Sequence, residues 1–225
     1  MYAESPPPPR LSGVLRCLWR SSVGRQLVVP DGCLDLVVAG DEVFVAGPDT
    51  RPWRSALGEG TVVHGARFRP GHAPRVLGVP ADELANRRVP LDELWGRRGR
   101  TVTDLLLHRA AALPDVVARH ATGMPDAELA VLLARLDRGA PRVSAALTGL
   151  GVGERQLRRR FTAAVGYGPA TYLRVARLQR ALSRAPRIRE LARLAVAAGY
   201  ADQAHMSRDC RELTGCTPGE FFGTR

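Results

Sequence analysis

Arg155, Arg158 and Arg159 stand close together and carry the most specific chemistry this sequence offers. A guanidinium is a rigid fork of N–H donors that matches the O6/N7 edge of guanine or a pair of phosphate oxygens. Leu157, Phe161 and Val165 recur at i, i+4 and i+8 through the same stretch. A helix over 154–165 therefore buries that stripe and turns the three arginines outward. A second set, Gln203, His205, Ser207 and Arg208, interleaves in the same way with Met206, Cys210 and Leu213. Glutamine pairs well with adenine and arginine with guanine, so both sets suit reading base edges.

Each set needs an element that presents it. Residues 143–149 read as a short helix, 150–153 as a glycine-bearing turn and 154–165 as a second helix. That layout projects the second helix into a major groove. The pattern recurs: a helix over 188–198, a turn at Gly199–Ala201, Asp202 as N-cap and a helix over 203–214. Between the two units runs a helix from Ala170 to Ala185, opened by Pro169 and stopped before Pro186. Its arginines Arg174, Arg177, Arg180 and Arg184 are spaced by three or four. Reading neighbouring grooves requires the two recognition helices to lie about 34 Å apart. One helix pair with a glycine turn is a weak signal; two in tandem are a strong one.

Charge points to the same region. The net charge is +11, and all 33 basic residues are arginine. A single isoleucine, Ile188, and a single asparagine, Asn86, suggest a GC-rich coding bias. That bias explains arginine in place of lysine, but not why acids fail to balance it. Residues 1–125 carry a net +3 and residues 142–225 a net +9, so the polyanionic partner, double-stranded DNA, belongs to the C-terminal third.

Residues 1–24, with four consecutive prolines and no apolar core, read as a partly disordered lead-in rather than a secretion signal. No apolar run is long enough to span a membrane, and the expected location is cytoplasmic. Residues 25–138 read as a sensor or dimerisation domain, β first and then helical. Gln26–Val29, Cys33–Val38 and Val43–Val45 suggest a hairpin ribbon, and Thr61–Phe68 a further strand. The sheet is small and needs a helical layer. Short helical turns at 81–85 and 91–95 supply it, with a helix over 103–120 kinked at Pro114 and another over 126–137. Gly139–Pro141 reads as the domain boundary. The fold class is α+β, a small sheet with a helical layer followed by an all-α tandem helix-turn-helix domain over 142–225.

Enzymatic classes find little support. There is no P-loop, nucleophile elbow or dinucleotide turn. His64 and His72 lack partners at metal-binding spacing, and Cys17, Cys33, Cys210 and Cys216 form no C-x-x-C pair. No cofactor or metal is expected, and the cysteines read as reduced thiols. Trp53, Arg67 and Trp95 are the candidates for lining a ligand pocket, with anchoring of the helical layer the alternative for Trp95 and a sheet-edge charge the alternative for Arg67. Effector binding, dimerisation and an inert scaffold all stay open for the N-terminal domain.

Several stretches resemble a known family. Gly151–Phe161, Val165–Pro169, Arg174–Leu182, Ala198–His205 and Leu213–Gly219 are similar to the DNA-binding domain of AraC/XylS-type transcription regulators. Pro30–Leu36, Ala46–Pro48, Arg67–Gly71 and Val89–Gly96 resemble the small cupin-like sensor domain of one subset. The resemblance implies a regulator reading two adjacent major-groove segments through Arg155, Arg158, Arg159, Gln203, His205, Ser207 and Arg208. It further implies a small-molecule effector, a homodimer, and RNA polymerase as partner for an activator. The zinc-bound cysteine cluster of the family's DNA-repair relatives has no counterpart here. Two positions depart from the family pattern. Gly153 stands where an N-capping Ser or Thr is usual, and Cys210 where a core aromatic is usual. The second departure predicts a looser second unit with an oxidisable thiol in its core.

Overall fold

The computed structural model describes residues 1–22, 27–55, 58, 60–151 and 153–223. The strands are β1 (Tyr2–Ser5), β2 (Leu15–Ser21), β3 (Leu27–Val28), β4 (Asp35–Ala39), β5 (Glu42–Ala46), β6 (Trp53–Arg54), β7 (Val63–Phe68) and β8 (Arg88–Pro90). Six of them form an antiparallel sheet in the order β1-β2-β7-β4-β5-β8, and β3 and β6 pair as a separate ribbon. Gly40, at φ +60°, takes the first central position of the two-residue turn joining β4 to β5. Period-two alternation sends Leu36, Val38, Val43, Val45, Ala66 and Phe68 to one face.

Helices cover that face: α1 (Pro74–Leu77), α2 (Leu91–Trp95), α3 (Arg97–His108) and α4 (Leu113–His120). They contribute Val76, Leu77, Leu91, Leu106, Val116 and Val117 to the shared core. The opposite face carries a smaller apolar set, Val37, Ala39 and Val63 with Trp19, Phe44 and Ala46 against it.

The second core is all helical. It is built from α5 (Ala127–Asp137), α6 (Val143–Leu147), α7 (Glu154–Val165), α8 (Pro169–Arg184), α9 (Leu191–Ala198), α10 (Gln203–Thr214) and α11 (Pro218–Phe222). Through its middle runs α8, burying Tyr172, Leu173, Val175, Leu178 and Ala181. The α+β class and the tandem helix pairs with a connecting helix are as the sequence implies.

Several details differ from the sequence reading. The expected lead-in is folded: β1 pairs with β2, and the proline run between them ends in a 3-10 turn that buries Leu11. Proline cannot extend a ladder, so the run separates two strands. Instead of forming a hairpin with β4, β3 pairs with β6; the start of the expected strand at Arg25–Gln26 lies outside the described residues. Pro114 opens α4 rather than kinking a longer helix, because α3 has ended at His108 and proline suits a first turn. The Gly139–Pro141 boundary falls inside the helical body. Leu129, Leu132, Leu133 and Leu136 of α5 pack into the second core, so the chain changes body before α5.

The two bodies touch along α7 and α8. Gln179 Nε2 donates to the Pro30 carbonyl at 2.8 Å. The Tyr172 ring lies so close to Gly32 that a Cβ there would come within 3.0 Å of it.

Candidate nucleic-acid interface

The α7 helix buries Leu157, Phe161 and Val165 completely and leaves Arg155, Arg158 and Arg159 exposed. Arg158 folds back on Glu154 one turn earlier, with Nη2 2.7 Å from its carboxylate. Among the described residues, Arg155 and Arg159 make no ion pair. Both lie on the outward face with their charge uncompensated. The helix starts at Gly153 with no side-chain cap, while Val152 of the turn is outside the described residues.

In α10, Met206, Cys210 and Leu213 are buried, and Gln203 and Arg208 are exposed. Asp202 caps the helix, accepting from the His205 backbone N–H at 2.6 Å. His205 stands edge-on to the Tyr200 ring at 5.2 Å, with Nε2 3.8 Å from the Asp209 carboxylate. Ser207 donates to the Gln203 carbonyl at 2.9 Å, which leaves its lone pairs available as acceptors. All four candidate side chains thus gather at the N-terminal half of the helix, away from the core stripe.

Cys210 sits in the core of this unit. It is fully buried, its sulfur lies 3.6 Å from Thr214 Oγ1, and burial pushes its thiol pKa up. A buried thiol whose pKa is raised is a poor target for oxidants. No cysteine forms a disulfide among the described residues.

Much of the basic charge in this domain faces inward. Arg135 donates to the carbonyls of Ala146 and Thr148 at the end of α6 (2.9 and 2.6 Å). Arg160 turns from α7 to Asp126 and Glu128 at the start of α5. Arg174 holds Asp209 at 2.8 Å and also pairs with Glu212. Arg177 donates to the Pro141 carbonyl at 2.7 Å. Arg180 reaches Ala198 O (3.0 Å) at the end of α9 and Leu136 O (3.1 Å) at the end of α5. A guanidinium at a helix C-terminus satisfies orphan carbonyls and meets the negative end of the dipole. Of the four regularly spaced arginines on α8, only Arg184 is exposed. Arg187 and Arg189, in the loop leading to α9, are exposed as well. They extend the cationic surface; the sequence places Arg189 in a helix over 188–198, whereas α9 begins only at Leu191 and leaves both arginines in the preceding loop.

The three residues considered for a ligand pocket separate. Trp53 and Arg67 line one cavity of about 300 Å³ between the second face of the sheet and the β3–β6 ribbon. Trp95 does not. Its indole N–H donates to Leu77 O at 2.8 Å and its ring stacks on His120 at 4.5 Å, so it ties the helical layer together. Arg67 is gripped by Asp35 through both carboxylate oxygens (3.0 and 2.9 Å) and by Asp31 at 3.1 Å. Burial opposes its charge, yet these carboxylates outweigh burial and raise its pKa. Asp31, partly buried beside Arg67, has its pKa pushed upward by desolvation. His64 and His72 stay apart, and no group of three or more metal-ligating side chains occurs among the described residues.

Two helix pairs on one core, each turning a polar helix outward, define a DNA-binding protein of the tandem helix-turn-helix class. Residues 147–224 match the family model described as a helix-turn-helix domain, and residues 3–90 match a domain of unknown function, DUF6597. The chain carries an AraC-type helix-turn-helix domain, the DNA-binding domain of a transcription regulator, behind its N-terminal domain. No curated protein sequence matches it.

Solved structures of ToxT from Vibrio cholerae are similar along most of the chain. A complex with (E)-4-(8-methylnaphthalen-1-yl)but-3-enoic acid is 10% identical, covers 92% of this chain and 97% of its own, and gives a TM-score of 0.48. A P21 crystal form is 8% identical, covers 99% and 98%, and gives 0.49. No described helix is long and apolar enough to cross a membrane.

Proposed function

We propose that α7 and α10 read two successive major-groove segments of one operator, and that a small molecule held by the N-terminal domain modulates this binding. One observation carries the first part: both helices sink their apolar stripes into a single core around α8 while their polar faces stay outward. A shared rigid core fixes the spacing of the two readers. Arg155, Arg158 and Arg159 are the contacts of the first helix; Gln203, His205, Ser207 and Arg208 are those of the second. Arg184, Arg187 and Arg189 add phosphate contacts, which position without reading sequence. The second part rests on the cavity beside Trp53 and Arg67, which borders α8 at Gln179 and Leu182. In this reading the protein works in the cytoplasm as a regulator without catalytic activity of its own. A second copy of the chain, and RNA polymerase where it activates, are its protein partners.

Footprinting on genomic fragments, followed by gel shifts on the protected sequence, tests the reading. Arg158→Ala and Arg208→Ala should each cost about 1–3 kcal/mol and relax selectivity at their own base pair. Variants that keep the parent's full preference between operator and random DNA would remove these residues from the base-reading set. A steep salt dependence with no sequence preference would instead indicate binding through the backbone alone.

A further inference from the structure

We infer that the cavity between the sheet and the β3–β6 ribbon selects a small planar, largely apolar molecule whose polar head donates hydrogen bonds and carries no negative charge. The inference rests on the effector reading above and gives that effector a chemical class.

Strand register builds the cavity floor in rows. In one row, Trp19 faces Gly65 on β7, Gly65 faces Val37 on β4, and Val37 faces Phe44 on β5. Gly65 makes this row possible, because a Cβ there would lie 2.1 Å from the Trp19 ring, which therefore crosses β7 flat. The Trp19 indole N–H is buried without an acceptor among the described residues. Trp53 of the ribbon forms part of the opposite wall. An aromatic floor facing an aromatic roof suits a flat apolar body. The volume, about 300 Å³, is at the small end for ligand sites.

The neighbouring row is charged, with Asp35 beside Arg67 and Arg88 at its far end. Both cations are already paired with carboxylates, and of their donors only Arg88 Nε is left buried without an acceptor among the described residues. Arg67 is held by Asp35 and Asp31, and Arg88 by both oxygens of Asp49 at 2.8 and 2.7 Å. Asp49 also accepts from the Trp53 indole N–H at 3.0 Å. Three carboxylates thus meet two guanidiniums on the cavity wall. An anionic head meets a wall with one carboxylate in excess, and displacing a carboxylate from its arginine leaves a buried charge unpaired. A hydroxyl, amide N–H or ammonium breaks nothing, because each carboxylate oxygen has lone pairs to spare. The same end of the cavity is bordered by Asp31, Gln179 and Leu182, where the sheet meets α8. An occupant's head therefore sits against the helix that carries both DNA readers.

Three probes with one ring system separate the head-group charges: indole-3-ethanol, tryptamine and indole-3-propionate. Their binding to the full chain is measured by calorimetry and thermal shift. The neutral and cationic probes should bind at least about ten-fold more tightly than the anionic one, the cost of an uncompensated buried charge setting the scale. Asp31→Asn, which keeps the acceptor used by the Cys33 backbone N–H, should weaken tryptamine more than indole-3-ethanol. Ala46→Phe, which fills the floor, should abolish binding while leaving operator affinity in the gel shift intact.

Equal or tighter binding of the propionate overturns the charge rule and leaves an effector cavity standing. Absence of binding by all three probes at millimolar concentration, or unchanged binding to Ala46→Phe, overturns the inference outright. Binding of indole-3-ethanol without any change in operator affinity upholds the class of occupant and refutes effector control.

Discussion

The Arg174 guanidinium donates to the buried carboxylate of Asp209 at 2.8 Å and also pairs with Glu212, joining α8 to α10 through two acids. Asp209 lies on the inner side of α10, one turn from His205. The clamp therefore fixes the orientation at which α10 presents its outward residues. Removing Arg174 leaves a buried carboxylate without its principal partner.

Arg174→Ala should accordingly destabilise the protein by about 2–3 kcal/mol, below the figure for a fully buried pair because Arg174 is partly exposed. Urea denaturation measures the loss. Footprints at a temperature where the variant is folded should weaken over the α10 half of the operator and persist over the α7 half. Uniform weakening would show that the clamp orients no particular unit.

Neighbouring arginines on α7 should behave in opposite ways. Arg159 is exposed without an ion pair among the described residues, whereas Arg160 turns to Asp126 and Glu128. Arg159→Ala should reduce operator affinity, with no stability change beyond about 0.5 kcal/mol, as for an ordinary surface substitution. Arg160→Ala should lower the melting temperature, and its DNA affinity at low temperature should match the parent. The same affinity loss in both would mean that their side chains exchange partners on DNA.

This pair also marks the limit of what was legible in the sequence. The stripes Leu157–Phe161–Val165 and Met206–Cys210–Leu213 mark out α7 and α10, because helical periodicity is a local property. Which arginine turns inward is not local. It depends on acids on α5 for Arg160 and on α10 for Arg174, elements joined to them only by tertiary packing. The sheet was less legible still. β7 sits between β2 and β4, and no turn signal announces that insertion. The aromatic row of Trp19, Val37 and Phe44 across Gly65 exists only once the register is known. For Trp95 the sequence offers both a pocket wall and an anchor of the helical layer, and its hydrogen bond to Leu77 O assigns it to the latter.

Arg180 links the ends of two helices that are far apart in the chain, α5 and α9. Arg180→Met keeps the aliphatic stem and removes every donor. The orphaned carbonyls should cost about 1–3 kcal/mol, and Arg180→Lys should recover part of it, because one ammonium cannot reach both helix ends. Hydrogen exchange should accelerate first in the last turns of α5 and α9. Unchanged protection at both ends would show that water replaces the guanidinium without cost.

Acid should weaken the N-terminal body through His72. Its Nδ1 stands 3.2 Å from Arg75 Nη1, an arrangement in which the arginine donates and the imidazole nitrogen must be unprotonated. Burial lowers its pKa from 6.5, and the charges of Arg75 and Arg69 lower it further. His64 shifts the same way, through burial and then Arg20. With the folded pKa below the unfolded one, the unfolded chain takes up the proton first as pH falls. The contribution is therefore complete above the unfolded value of 6.5 and disappears as pH drops through the folded value. Melting temperatures between about pH 7 and pH 5 should decline in the parent and decline less in His72→Gln, whose amide oxygen still accepts from Arg75. Identical slopes in the two proteins would assign the acid sensitivity elsewhere.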